Sequence, residues 1–424
     1  PFRCNGSGRA DHYHHAETYM HSRLLAVAIA AGLGSCFLPL AAAAQSPSSA
    51  GGGAELSQLQ AQLQALQSRV DQLQQQQAQA QADAAAAPST SSDKRLAALE
   101  KLVNDTTIGG KMFFDFSTID QKHSQSGKTD ASGTGIDVKR FYLSATHQFD
   151  SIWSANLTTD FNYVSNDGET NLFVKKAYVQ GKFDQAAVLR IGSYDMPWIP
   201  FVENYYGFRY IEPTITDRLK YANSADWGVN LGGDIGQGKH FNYSVSAVNG
   251  NGYKNPGRSK GVDFEGRVGF VPFDNVIVAV GGYTGHRGQE LENVDALHTA
   301  QRLDVMLAYA GPLFRVGGEY FSARNWGNVL TPLADKADGY SLWGSVNLPS
   351  KFSLFARYDR TSPSKDLNSS AKGTYYHAGV QYDVTKGFQL ALVYKHEKND
   401  IIGTTPLPLA NVKTNEVGLF GQVS

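Results

Sequence analysis

From Thr107 to the end of the chain, apolar and polar residues alternate in short runs separated by turn-forming residues. In 151–164, Trp153, Ala155, Leu157, Phe161 and Tyr163 share one face, while Asn156, Thr158, Asp160 and Asn162 share the other. Run 226–236 sets Trp227, Val229, Leu231 and Ile235 against Asn230 and Asp234. Run 350–361 sets Phe352, Leu354, Ala356 and Tyr358 against Ser353, Arg357 and Asp359. A period of two is the mark of a half-buried β-strand. Sixteen such runs are present: 107–119, 137–149, 151–164, 172–184, 186–196, 226–236, 239–250, 262–273, 275–287, 299–311, 312–325, 336–349, 350–361, 372–384, 386–399 and 411–424.

The connections follow a rule. After each even run the link is very short, marked by Asp150, Gln185, Gly238 and Asp274, then by Pro312, Lys351 and Thr385. After the odd runs it is usually long: 120–136, 165–171, 197–225, 251–261, 288–298, 326–335, 362–371 and 400–410. Turns on one rim and loops on the other are the arrangement of a transmembrane β-barrel, and an even strand count returns both ends of the sheet to the turn side. A dry sandwich shares the period, but sixteen half-polar faces close better around water. Phe149, Phe183, Phe241, Phe273, Phe314, Phe352 and Phe388 recur beside short turns, where an aromatic girdle belongs. The expected fold is all-β: a sixteen-stranded antiparallel barrel over 107–424, apolar face to lipid, preceded by a helix. The last run carries Val417, Leu419 and Val423 on its apolar face, and an aromatic residue after Ser424 would continue that face.

One stretch breaks the alternation. Trp198 to Trp227 mixes eight aromatic residues with Glu203, Arg209, Glu212, Asp217, Arg218, Lys220 and Asp226. A loop this long without regular pattern is functional or disordered, and the aromatic content argues against disorder. It is expected to fold into the lumen and narrow it.

The region before the barrel divides into three. Residues 1–19 read as translated upstream sequence, with His12, His14 and His15 incidental to it. Residues 20–44 read as a secretory signal: Arg23, an apolar Leu24–Leu40 stretch and the Ala42, Ala43, Ala44 cleavage site; Leu33-Gly34-Ser35-Cys36 offers a lipoprotein box as a competing reading. Residues 45–106 hold a Ser/Gly/Ala linker and then Leu56, Leu59, Leu63, Leu66, Val70 and Leu73 at steps of three and four. That is a coiled-coil seam, expected on the periplasmic side; a Gln/Ala-rich tether is the alternative. Pro88 ends it, and Leu96, Leu99 and Leu102 or Val103 predict a second short helix.

Composition narrows the classes. Mean hydropathy is −0.33, and after residue 44 no apolar run approaches the ~18 residues of a membrane helix. Gly (43), Tyr (21) and Phe (22) are abundant. Net charge is −1, which gives no basic field for nucleic acid. Both cysteines, Cys4 and Cys36, precede residue 45, so a processed chain has no disulfide and no thiol metal site. GxSxG, HExxH, Walker and CxxC motifs are all missing, and the histidines are scattered. Neither an enzyme nor a cofactor or metal site is expected.

If apolar faces point to lipid, the opposite faces place Arg140, Lys176, Lys182, Arg190, Arg267, Arg302, Arg315, Arg357 and Lys395 inside the barrel. Asp160, Asp234, Asp263, Glu265, Asp304, Glu319 and Asp359 join them, and the inserted stretch adds Arg209, Arg218 and Lys220. The total is nearly neutral, so any ion preference must come from segregation of charge across the lumen. The strongest candidates to line a pore and touch an anion are Arg140, Lys176, Arg190, Arg209, Arg218, Lys220, Arg315 and Arg357, since guanidinium forks match phosphate and carboxylate. The bland alternative is mutual pairing of these charges.

Several segments carry a resemblance: Leu189-Arg190-Ile191-Gly192, then Pro197-Trp198, then Tyr206-Gly207-Phe208-Arg209-Tyr210 and Asp217-Arg218. Over 107–424 the chain resembles the phosphate-selective porin O and P family of Gram-negative outer membranes. The resemblance implies a sixteen-stranded trimer with an infolded third loop, passing phosphate-like or polyphosphate-like anions, and Lys139 and Arg140 fall where such proteins carry pore-facing bases. Implied partners are outer-membrane lipid, two further copies of the chain and small anionic solutes. General, dicarboxylate or sugar uptake, and a trimer that tethers the envelope, remain alternatives.

Overall fold

Strict alternation leaves each strand with one face that prefers hydrocarbon and one that prefers water, and closing the sheet is the one arrangement that satisfies both while leaving no unpaired edge. The computed structural model shows that closure. It describes residues 52–86, 90–124, 126–162, 170–236, 240–400 and 411–424. Tyr163, on the apolar face of the third run, lies outside them, as do residues 1–51 with the expected signal segment.

Sixteen long strands run β1 (Thr106–His123), β2 (Gly133–Gln148), β3 (Trp153–Asn162), β4 (Asn171–Lys182), β5 (Val188–Asp195), β6 (Ala225–Ile235), β7 (Phe241–Val248) and β8 (Asp263–Phe270). They continue as β9 (Val276–Gly285), β10 (Ala300–Ala310), β11 (Phe314–Arg324), β12 (Lys336–Asn347), β13 (Phe352–Ser362), β14 (Lys372–Thr385), β15 (Phe388–Asp400) and β16 (Val412–Val423). Each pairs antiparallel with its neighbours in sequence, and β1 closes on β16 from Met112↔Val423 to His123↔Val412. A two-residue piece, Gly127–Lys128, adds to the rim beside β1.

The sequence placed every strand, with one systematic difference. The expected first loop, 120–136, is mostly ladder: β1 reaches His123 and β2 begins at Gly133. Ser, Gly and Thr in this tract look like loop, yet Ile119↔Gly133 and Thr118↔Thr134 extend the hairpin, with the two threonine hydroxyls 2.9 Å apart. At the other rim, Asp150 accepts from the backbone N–H of Ile152 (2.8 Å) and Trp153 (2.7 Å), an Asx turn that starts β3 two residues later than the alternation suggests.

The outer face is apolar: Leu157, Leu231, Leu307, Leu342, Leu392 and Leu419 are all exposed. The phenylalanines beside the short turns form pairs. Trp153 meets Phe183 edge-on at 5.7 Å, Phe241 stacks on Phe270 at 4.8 Å and Phe314 on Tyr309 at 4.6 Å. Such contacts add about 0.5–1.5 kcal/mol each beyond burial.

Before the barrel lie two helices, α1 (Gly52–Ala86) and α2 (Thr90–Asp105). The chain divides into two compact units, residues 1–89 and 90–424, so α2 belongs with the barrel. In α1 the seam residues Leu63, Leu66, Val70 and Leu73 are exposed; the side chains of Leu56 and Leu59 lie outside the described set. No helix among the described residues is long and apolar enough to cross a membrane, which says nothing of strands.

Candidate functional site

The stretch between β5 and β6 turns into the lumen. Its first part is a short helix, α3 (Ile199–Tyr206), with Pro200 in the first turn, where a missing N–H costs nothing. Ile199, Val202 and Tyr206 are its buried stripe. Gly207 ends it at φ 83°, a left-handed conformation that suits glycine, and a Cβ there would press on the Arg315 guanidinium at 2.8 Å. A single turn, α4 (Ile215–Arg218), follows. Trp198, Val202, Tyr206, Phe208, Tyr210 and Ile211 then pack with Phe113, Ile277, Met306, Trp343, Phe355 and Phe420 from the inner wall. This apolar cluster inside a polar lumen is why the stretch carries so many aromatics.

Polar latches fix it to the β8–β15 side of the wall. Trp198 donates its backbone N–H to Glu265 (3.0 Å) and its indole N–H to Glu319 (3.3 Å), and Glu319 also accepts from the Ile215 N–H (3.2 Å). Arg267 donates to the Pro197 carbonyl (3.0 Å), Arg315 to that of Asn204 (3.0 Å), Arg357 to that of Pro213 (2.6 Å) and Arg302 to that of Tyr221 (2.7 Å). Loop carbonyls left free by irregular backbone are thus met by wall arginines. Arg218 returns the contact, donating to Asp359 (3.0 Å) and Glu397 (2.7 Å) above the Tyr375 ring. Lys395 meets Glu212 at 3.1 Å and Glu416 at 3.3 Å. Glu212 is buried, which disfavours its charge, yet Lys395 and Lys139 outweigh this and hold its carboxyl well below the usual range.

The expected site residues differ in how they are held. Arg218 and Arg357 are locked: the Arg357 side chain is 1 % exposed and forks onto Asp359 at 2.7–2.8 Å. Arg209 bridges loop acids, with Nε 2.5 Å from Glu203 and Nη2 3.3 Å from Asp217. The Glu203 contact is off the N–H axis, a charge contact rather than a hydrogen bond. Arg140 and Lys176 sit half-buried, each against one carboxylate: Arg140 lies 3.6 Å from Asp160, and Lys176 pairs with Asp195. Arg190 and Arg315 make no carboxylate contact among the described residues; Arg190 donates to Gln180 (2.8 Å) and Asn230 (3.2 Å). Lys220 stands apart, its side chain 76 % exposed with Asp217 at 3.7 Å.

Two bases were missed by strict alternation. The β1–β2 register shifts between Phe113 and Phe114, so Lys139 is an extra residue; the β3–β4 register shifts between Thr158 and Thr159, so Lys175 is another. A bulge sets two adjacent side chains toward one face. Lys139 joins Arg140 inside, 3.2 Å from Asp115 and 3.5 Å from the Ile211 carbonyl. Lys175 joins Lys176, lying 4.7 Å over the Tyr142 ring and 5.8 Å from that of Tyr253. Rings attract a cation without cancelling its charge. The doublets Lys139-Arg140 and Lys175-Lys176 were the available signal, since two charged neighbours cannot both follow a period of two.

Comparison with known proteins agrees with this architecture. A family model described as Gram-negative porin matches residues 78–401. Among solved structures, the anion-selective porin from Comamonas acidovorans superposes with TM-score 0.52 at 14% identity, covering 75% of this chain and 99% of that one. The outer membrane channel DcaP of Acinetobacter baumannii gives 0.54 at 12% identity, covering 75% and 96%. Salmonella typhi OmpF, in a complex with daunomycin, gives 0.52 at 11%, covering 75% and 98%. At these identities the likeness is one of fold. No curated protein sequence matches.

Proposed function

Because the chain belongs to the Gram-negative porin family, an outer-membrane channel by fold and lineage, we propose that it conducts small anions of phosphate or polyphosphate type by passive diffusion past the infolded 197–225 stretch. The observation that carries this reading is the way its lumen cations are held. Lys175, Arg190, Arg267 and Arg315 are retained by rings, amides and backbone carbonyls instead of carboxylates. A base held by neutral partners keeps its full field in the lumen, and a row of such bases hands an anion on without trapping it at any one. Arg140, Lys176, Arg209 and Lys220 supplement the row, while Arg218 and Arg357 keep the loop in place. The anion-selective porin from Comamonas acidovorans shares the fold, and the chemistry of the wall is the argument for selectivity here. Uptake of sugars or other neutral solutes is disfavoured by the same wall; dicarboxylates fit it as well as phosphate does.

The test is the reversal potential of single channels in a salt gradient. Lys175→Met with Arg190→Gln should lower the anion-to-cation permeability ratio about tenfold or less, with conductance steps retained. An unchanged ratio sinks the assignment. Block by added phosphate then ranks phosphate against dicarboxylates.

The exposed α1 seam fits a periplasmic coiled coil joining copies of the chain, as a trimer, after a signal at 20–44 has been removed. Leu63→Asp with Leu66→Asp should loosen the oligomer in light scattering; an oligomer of unaltered mass and stability would assign assembly to barrel contacts alone, and would also count against an envelope-tethering role for this helix.

A further inference from the structure

The loop-side rim of the barrel carries a row of like charges on its lipid-facing surface. In the register of β15, β16 and β1, Lys398 is opposite Lys413, Lys413 opposite Lys122, and Lys122 opposite Lys128 of the rim piece. Neighbouring strands lie about 4.8 Å apart, so four ammonium groups stand in a line of about 15 Å. All four side chains point outward: β15, β16 and β1 send Glu397, Glu416 and Gln121 inward, and the lysines hold the other parity. Like charges directly opposite each other destabilise a sheet. Two carboxylates offset the row in part, Asp120 at 3.2 Å from Lys122 and 3.7 Å from Lys128, and Asp400 at 2.8 Å from Lys398. Lys413 has no ion pair among the described residues. The adjoining segment 401–410 contains no Asp or Glu that could supply one. The row therefore keeps a net positive charge.

What lies below the row says what faces it. One outward step toward the turn side come Tyr376, stacked on His396 at 4.9 Å, and then Tyr394, with Leu392, Leu419 and Phe116 beyond. Tyrosines on a lipid-facing surface mark the headgroup level, and aliphatic residues mark the acyl region. The lysines stand just beyond the tyrosines, at the depth where a lipid of the outer leaflet presents its phosphates. We propose that Lys398, Lys413, Lys122 and Lys128 form a binding site for the phosphate groups of a phosphorylated outer-leaflet lipid, whose acyl chains lie along the aliphatic face beneath. Lipid phosphate supplies the countercharge that the fold itself omits, and it relieves the repulsion between the four strands' ends where the barrel closes. The site is independent of the ion preference of the lumen.

The experiment uses the full chain in neutral detergent. Bis-phosphorylated lipid A is titrated in and retained lipid is counted by native mass spectrometry, with phosphatidylcholine and inorganic phosphate as the other arms. Lys122→Gln, Lys398→Gln and Lys413→Gln together should cut lipid A retention about tenfold or more, while Lys386→Gln, on a turn at the opposite rim, should leave it intact. Thermal unfolding guards against misfolding: without lipid A the triple variant should melt within a degree or so of the parent, since relief of repulsion offsets the loss of its exposed ion pairs to Asp120 and Asp400, and only the parent should gain several degrees when lipid A is added. Equal retention by parent and variant overturns the proposal. So does equal retention of phosphatidylcholine, or displacement of lipid A by inorganic phosphate at matched concentration. A fall in oligomer mass that accompanies the lipid loss also overturns it, by assigning the row to contacts between copies.

Discussion

On the β10–β15 side of the lumen, Arg302, Arg357 and Lys395 are buried and each touches at least two oxygens from different residues: Arg302 meets Asp304 at 2.7 Å and Glu265 at 2.8 Å, and Lys395 meets Glu212 and Glu416. On the β2–β5 side, Lys139, Arg140 and Lys176 have one carboxylate each, with side chains 31 %, 25 % and 24 % exposed, and Lys175 and Arg190 have none among the described residues. The residue types are the same on both walls. The difference is the access of water and, for Arg302 and Lys395, a second countercharge. Arg302, Arg357 and Lys395 are buried against the infolded stretch or the acids that hold it; Arg140, Lys175, Lys176 and Arg190 stay more open to the lumen. A census of lumen charge, nearly neutral, misses this because it weighs a neutralised arginine and an open lysine equally.

The largest way to break the comparison is to open the locked wall. Arg357 joins Asp359, Ser341 and the Pro213 carbonyl, and Asp359 also holds Arg218. Arg357→Met removes one partner of a buried network and strands the rest. Loss of one partner of a buried ion pair costs about 3–5 kcal/mol. The barrel ladder, closed elsewhere by sixteen strand pairings, should survive, so the cost should fall on the loop. Expected are a clear drop in thermal midpoint and noisy, enlarged single-channel steps as the stretch leaves its seat. Steps of parental size and quietness would mean that the loop is held by its aromatic cluster alone. The Lys175 and Arg190 substitutions probe the opposite wall, where the change should appear in selectivity with little in stability, because neither residue is part of a buried carboxylate network.

How much of this was legible in the sequence follows from the physics of each signal. Strand positions were readable because lipid on one side and water on the other force a period of two; Trp153, Leu157, Asp160, Ser353, Arg357 and Asp359 all face as the pattern demands. The infolded stretch was readable as a break in that period too aromatic to be loose. The first hairpin was overcalled as loop because Ser, Thr and Gly serve both loops and exposed ladder, as at Thr118 and Thr134. Alternation alone hid Lys175, and Lys139 was reached only through the family resemblance, because a bulge changes parity without changing composition. Which lumen arginines are neutralised is legible only where an acid stands two positions along the same strand face, as Asp359 beside Arg357; Arg315 has no such neighbour and meets the Asn204 carbonyl instead. That depends on where a loop far away in sequence comes to rest.

The smallest effect concerns the boundary between the two walls, where Arg209 sits between Glu203 and Asp217. Burial raises the Glu203 carboxyl above the usual range, and Arg209 only partly opposes this. Arg209 itself is buried, but Glu203 and Asp217 hold its proton more firmly than usual. A carboxyl raised in this way takes up its proton at higher pH than an exposed glutamate, near 4.3 when unperturbed. Its contribution to folding is thus largest at low pH and falls as pH rises through the raised value. On mild acidification Glu203 is neutralised ahead of its exposed counterparts, and Arg209 loses one of its two countercharges. The anion-to-cation permeability ratio should therefore rise as pH falls from neutrality toward the ordinary carboxylate range, by no more than about threefold given screening in the wet lumen. Glu203→Gln should show the raised ratio already at neutral pH and flatten the dependence. A parent channel whose reversal potential is flat across that window, or a Glu203→Gln channel that keeps the parent's slope, would move the pH-sensing group elsewhere and leave Arg209 fully neutralised, on the locked side of the comparison.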